Sequence, residues 1–204
     1  MLLKSAFIAI FVAYVVGSLP WAVWVGYAFS GKDIRNGGSG NAGATNTYRM
    51  IGIRPAIIVF LLDAGKGALV AWLCWAWNLP VPWMIVAGFF VMVGHIYPVL
   101  GGFSGGKGIS TAAGVLSLVD PLAFFVALIL FVFILWRFRV VSAASITAGG
   151  VAFLTAMAQM MFLGDPWMPV AVTGLFLVMI LITHRDNIRR LKSGTESRLS
   201  KGEG

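Results

Sequence analysis

Hydrophobic residues in this chain come in long runs free of charge, at 5–31, 67–106, 121–136, 140–164 and 166–184. Crossing the hydrocarbon of a bilayer, about 30 Å at about 1.5 Å per residue, takes about 20 apolar residues in a helix. The runs therefore read as membrane-spanning helices. The second is interrupted by Asn78-Leu79-Pro80-Val81-Pro82, a turn signal, and so holds two spans. The pattern predicts helices over 5–29, 55–77, 83–103, 109–119, 121–138, 142–163 and 167–183. The first resembles a secretory signal peptide, but its apolar stretch runs past Pro20 to Phe29, beyond the usual length of about 7–15 residues, so we expect it to be retained.

The short helix at 109–119 has 11 residues and reaches only about 16 Å. The alternative is one kinked helix over 109–136 with Asp120-Pro121 inside it. Charge decides between them. With a break at Asp120-Pro121 there are seven spans, the N-terminus outside and the tail inside. The inner segments then hold Lys32, Arg35, Arg49, Arg54, Lys107, Arg137, Arg139, Arg185, Arg189, Arg190, Lys192, Arg198 and Lys201, with Lys4 outside and Lys66 within a span. Six spans would put both termini on one side and turn strongly basic segments both ways. The excess of Lys and Arg in cytoplasmic loops favours seven. Proline opening a helix with aspartate before it as N-cap suits a new start at 121.

Composition closes the class. Of 204 residues, 59% are hydrophobic and 11% charged, and the mean hydropathy is +0.91. A soluble domain carries about 25% charged residues, so a soluble globular protein, a disordered chain and a nucleic-acid-binding domain are excluded. The net charge of +8 reads as cytoplasmic loops. The one cysteine, Cys74, excludes an internal disulfide and a Cys-rich metal site. The expected fold is an all-α polytopic integral membrane protein, one membrane-embedded domain over 1–204. At about 29 residues per span there is no room for a separate soluble domain, so chemistry must sit in inner loops and helix ends. A transporter or channel for a phosphorylated anion would also want basic loops, but it predicts an internal repeat that the sequence does not display.

Three inner segments carry the groups that hold anions. The first, at 35–49, packs four glycines with hydroxyls, amides, Arg35 and Arg49. Glycine lets backbone N–H groups turn toward a ligand, and arginine offers a fork matched to phosphate. The plain alternative is a solvated loop. The second, Gly101-Gly102-Phe103-Ser104-Gly105-Gly106-Lys107-Gly108, meets the first part of the phosphate-loop pattern. Gly108 replaces the Ser or Thr that would reach magnesium, and no strand precedes it, so a nucleotide site is weakly supported. Glycine amides and a lysine before the helix at 109 still favour a phosphate; tight helix packing is the alternative. In the third, Thr183-His184-Arg185-Asp186-Asn187, the pair His184 and Asn187 share a helical face while Arg185, Arg189 and Lys192 line another. The ordinary reading there is a basic helix touching anionic lipid heads.

Asp63 and Lys66 lie three apart inside the second span, a functional candidate or a self-neutralising structural pair. His95 reads as a hydrogen-bonded core histidine. Ser142 and Ser145 start a helix near the inner face, where capping by Ser142 is the simple explanation. Trp21, Trp24, Trp77, Trp83, Trp136 and Trp167 sit mostly at span ends, as an aromatic belt.

At these segments the chain resembles the bacterial membrane-bound glycerol-3-phosphate acyltransferases that use acyl-phosphate as donor, the PlsY family. The resemblance rests on 38–46 with Arg49 and Gly52, Leu62-Asp63-Ala64-Gly65-Lys66-Gly67, Gly94-His95-Ile96-Tyr97-Pro98 leading to Gly105-Gly106-Lys107-Gly108, Ser142-Ala143-Ala144-Ser145-Ile146-Thr147, and 184–191. It covers nearly the whole chain in order, and departs at Ser104, where the family often has lysine. It implies transfer of a fatty acyl group from acyl-phosphate to the 1-hydroxyl of sn-glycerol 3-phosphate, with lysophosphatidic acid and phosphate as products, in a bacterial inner membrane with the site facing the cytoplasm. It implies Ser39, Arg49, Lys107, His184 and Asn187 as catalytic residues. For substrate binding it implies Gly38, Gly40, Asn41, Thr45, Asn46, Gly105, Gly106, Gly108, Ser142 and Ser145, with Glu196 structural. No cofactor, metal or nucleic acid is implied; the partners are the two substrates and membrane lipid. The His-x4-Asp signature of acyl-CoA acyltransferases is absent, since Arg189 stands five residues after His184.

Overall fold

The computed structural model describes residues 2–199, so Lys201 of the predicted inner charges lies outside the described residues. Within them the chain is helical throughout, and it divides into two compact units, up to Val119 and from Asp120.

The first unit opens with α1 (Leu2–Gly17) and α2 (Trp21–Ser30), where one helix over 5–29 is expected. Pro20 explains the difference. It has no N–H to give to the preceding turn, and its ring clashes with a helical carbonyl four residues back. The break frees carbonyls, and in an apolar setting each freed carbonyl needs a partner. Lys66 supplies one, its Nζ donating to the Leu19 carbonyl at 3.3 Å. The two helices together still form one apolar stretch, Lys4–Ser30, long enough to cross a membrane.

Next comes α3 (Ala44–Ile51), a short helix in a stretch that the glycine-rich composition presents as loop. Gly52, between this helix and the next, has φ 90°, and α4 (Ile53–Ala76) follows directly. The fifth helix, α5 (Val81–Ile96), ends before the expected 103, because Pro98 holds Tyr97 out of the helical region and only a single tight turn, Val99–Gly101, follows. The predicted 109–119 helix is present as α6 (Ile109–Val119). Backbones in this unit approach until side chains would not fit. A Cβ on Gly67 of α4 would run into the Thr111 carbonyl of α6, and one on Gly114 into that of Ala64; Gly17 and Gly94 do the same for α1 and α5. Small residues at such seams are how helices associate in lipid, where no hydrophobic force draws them together.

In the second unit α7 (Pro121–Phe138), α8 (Val141–Ala158) and α9 (Met168–Thr183) pack in sequence, followed by α10 (Arg185–Lys192), bent by 65° from α9. The expected aspartate cap is there: Asp120 accepts from the Ala123 N–H at 2.9 Å, with Pro121 opening α7. Its second oxygen accepts from Gln159 Nε2 at 2.7 Å, tying the start of α7 to the wide turn Gln159–Leu163 that closes α8. Large apolar side chains point outward, among them Ile129, Trp136 and Phe162, each at least 70% exposed, as a lipid-facing surface requires. By length and composition five helical stretches among the described residues can cross a bilayer, six with α9 and α10 counted as one bent span.

Candidate active site

The first and second predicted segments meet within the first unit. The Ala42 N–H donates to the Gly105 carbonyl at 3.1 Å. Arg35 straps the two together: Nη1 donates to the carbonyls of Gly101 at 2.5 Å and Ser104 at 3.1 Å, while Nε and Nη2 bind the Asp33 carboxylate. Those side-chain hydrogen bonds from Arg35 hold Asp33 below its ordinary carboxyl value against a smaller upward push from burial, and they raise Arg35 in turn. One of the two arginines that composition offers to a phosphate is thus engaged in joining loops.

Asn46, expected on the substrate list, has its amide engaged inside the first loop and is 1% exposed. Its Oδ1 accepts from the Ser39 N–H at 2.7 Å, and its Nδ2 donates to the carbonyls of Ile34 and Gly37. Gly38 sits in the left-handed region at φ 61°, and a Cβ there would strike Asn46 Oδ1. The loop therefore needs glycine twice over, for conformation and for space. Asn41 Nδ2 donates to the carbonyl and hydroxyl of Ser39. Ser39, Gly38 and Gly40 are exposed, as is Arg49 on α3, while Thr45 is half-buried. In the second loop Gly106 and Gly108 are buried and Gly105 and Lys107 half-buried, just before α6.

Beneath the loops lies the ionic pair read from the second span. Lys66 Nζ is 2.8 Å from Asp63, and His95 Nδ1 is 3.3 Å from the same oxygen. His95 is the buried, hydrogen-bonded histidine that was expected, but its partner, far away in sequence, was not foreseen.

The second unit holds the third segment. Glu196 accepts from the Ser142 hydroxyl at 2.7 Å, from Asn187 Nδ2, and from Arg190 Nε at 2.7 Å. Burial pushes Glu196 up, yet the hydrogen bonds from Asn187, Ser142 and Arg190 outweigh it and hold the carboxyl below its ordinary value. Ser142 does not cap α8, whose N-cap is Val140; its hydroxyl goes to Glu196 instead. Ser145 is buried on the same helix. His184, 2% exposed, places Nδ1 2.9 Å from the Ile180 carbonyl. A carbonyl only accepts, so Nδ1 carries the ring proton and Nε2 is the basic nitrogen. Sequence reading missed Asp33, whose partner is two residues away, a spacing that no periodicity flags.

Comparison with known proteins points one way. The family model described as Glycerol-3-phosphate acyltransferase matches residues 7–194. A glycerol-3-phosphate acyltransferase of Listeria welshimeri is 38% identical over 189 residues, covering 92% of this chain and 93% of the relative. One of Geotalea daltonii is 39% identical over 196 residues, covering 96% and 98%. Among solved structures, PlsY, an integral membrane glycerol 3-phosphate acyltransferase, aligns in its glycerol 3-phosphate form with a TM-score of 0.84 at 35% identity over 96% of both chains. Its lysophosphatidic acid form aligns with a TM-score of 0.82 at 33% identity.

Proposed function

The chain belongs to the glycerol-3-phosphate acyltransferase family, and from that membership we propose the complete reaction and the residues that perform it. It is a membrane acyltransferase of phospholipid synthesis that esterifies glycerol 3-phosphate to lysophosphatidic acid. The donor is acyl-phosphate. The 1-hydroxyl oxygen attacks the acyl carbonyl carbon, the bond from that carbon to the phosphate oxygen breaks, and phosphate leaves with the electron pair. The leaving group is good, so the chemistry calls for positioning and charge stabilisation. The hydroxyl proton passes to His184 Nε2 or to a phosphate oxygen of a substrate.

The observation that carries this reading is the joining of two glycine-rich segments through Ala42, Gly105 and the Arg35 strap. One assembly of loops then bears the Ser39 hydroxyl and the Lys107 ammonium, with helix α6 starting directly behind. These are groups suited to phosphate. Arg49, exposed on the short helix α3 that leaves the same loop, adds a further cation. Asn187 and Ser142 act through Glu196, which fixes their orientation.

Seven spans with the N-terminus outside place 30–54, 101–108 and the tail at the cytoplasmic face, where glycerol 3-phosphate is soluble, while the acyl donor enters from the bilayer. The test is detergent-purified protein with palmitoyl-phosphate and labelled glycerol 3-phosphate. Lysophosphatidate should form, and its absence refutes the donor. Lys107→Ala and Arg49→Ala should each lose about 10²-fold or more in turnover; near wild-type rates would remove them from the site. Activity retained in His184→Ala would send the proton to substrate.

A further inference from the structure

Asp63, Lys66 and His95 stand outside the machinery proposed above, yet they touch it at one place. All three are 6% exposed or less. Burying ionisable groups in a membrane is expensive, and a buried ion pair is weak evidence of stabilisation, because apolar side chains of similar volume pack as well or better. The pair therefore calls for a task other than holding helices together.

That task is visible at the far edge of the His95 ring. Gly106 lies so close that a Cβ on it would run into His95 Nε2. The Gly106 N–H donates to the His95 carbonyl, and the Gly105 N–H to the Ile96 carbonyl, each at 3.2 Å. Gly105 is also where the first loop attaches, through Ala42. The imidazole thus forms the floor of the second loop at its junction with the first. On the opposite edge Nδ1 faces a carboxylate, which only accepts, so Asp63 keeps the proton on Nδ1 and fixes the ring. Lys66 holds the same Asp63 oxygen and reaches the Leu19 carbonyl at the α1–α2 break. A cavity of about 10 Å³ lies among Ala42, Asp63, Lys66, His95, Gly105 and Trp21, room for one water at most. Trp21, one of the residues lining that cavity, has a buried indole N–H with no hydrogen-bond partner among the described residues.

We propose that His95 is a positioning residue: braced by Asp63 and Lys66, its ring sets the backbone of Gly105-Gly106-Lys107 in the shape that receives the phosphate of glycerol 3-phosphate. This rests on the assignment of that loop to glycerol 3-phosphate, and the experiment separates the two. Steady-state kinetics are measured on detergent-purified wild type, His95→Asn, the double variant Asp63→Leu/Lys66→Met, and Lys107→Ala, varying each substrate in turn.

His95→Asn keeps a donor for Asp63 but removes the part of the ring under Gly106. The double variant removes the brace without stranding a charge. Both should melt close to wild type and raise KM for glycerol 3-phosphate by about tenfold or more, with KM for palmitoyl-phosphate changed by no more than about twofold. A cluster that only stabilised the fold would lower the melting temperature and leave both KM values alone. A folded His95→Asn with wild-type KM for glycerol 3-phosphate overturns the proposal, whatever the double variant does. If Lys107→Ala also leaves that KM unchanged, the loop assignment has failed and the inference falls with it.

Discussion

Asn46 illustrates how much one side chain decides. Its carboxamide ties Ser39, Ile34 and Gly37 together at 2.7, 2.8 and 3.2 Å. Removing it strands a buried carbonyl and releases the segment carrying Ser39. We expect Asn46→Ala to lower stability by about 2–3 kcal/mol, read as a drop in melting temperature, with activity falling further than stability alone explains. Gly38→Ala should be costly for a different reason, since the left-handed backbone alone costs about 1 kcal/mol for an L side chain and Asn46 Oδ1 must also move. Glu196 yields a pH dependence. Its folded value lies below its ordinary 4.5, so its contribution is present above that value and is lost as pH falls through the folded one. Hydrogen exchange at α10 should rise in that acid range, and Glu196→Gln, which loses the charge-assisted bonds, should show fast exchange at neutral pH as well.

Helix α6 depends on a contact that no single helix contains. Gly67 and Gly114 bring α4 and α6 to backbone contact. Gly114→Leu should push the helices apart and cost about 1–3 kcal/mol or more, seen as lost melting temperature or failure to purify as a single species. At this scale the apolar runs were the legible part. Helix α7 begins and ends where the pattern puts it, and its aspartate cap was readable from Asp120-Pro121. The misreadings have local causes. Hydropathy does not register that Pro20 and Pro98 stop a helix inside an apolar run, so α1 and α2 read as one helix and α5 reads too long at its end. Helix α3 was hidden by the glycines before it and by its own polar residues, which break no apolar run and form none.

Topology belongs to the molecule as a whole, because it follows from the parity of spans and the side on which Lys and Arg accumulate. Seven spans place Asn78 outside and Lys32 inside; six spans with the tail kept inside reverse both. In a Cys74→Ala background, Asn78→Cys should react with a membrane-impermeant maleimide added to intact cells, and Lys32→Cys only after permeabilisation. The opposite result refutes the seven-span arrangement. The charges also divide in role: Arg35 is used up in binding Asp33 and two loop carbonyls, whereas Arg49 lies exposed beside the first loop.

The chain's order of residues was sufficient for the class, the greater part of the helices and the segments rich in phosphate-holding groups. Those depend on local hydropathy and on residue types a short distance apart, and both are written along the chain. Which polar groups hold the loops and the tail together was decided only in three dimensions. Arg35, Asn46 and Ser142 read as ordinary candidate polar residues, and only the folded chain brings them to partners up to 69 positions away that hold the loops and the tail in place. His95 read as an ordinary core histidine until Asp63 stood on one edge of its ring and Gly106 on the other. A hydrogen bond is settled by distance and direction in space, and sequence spacing carries neither once the chain has turned back on itself.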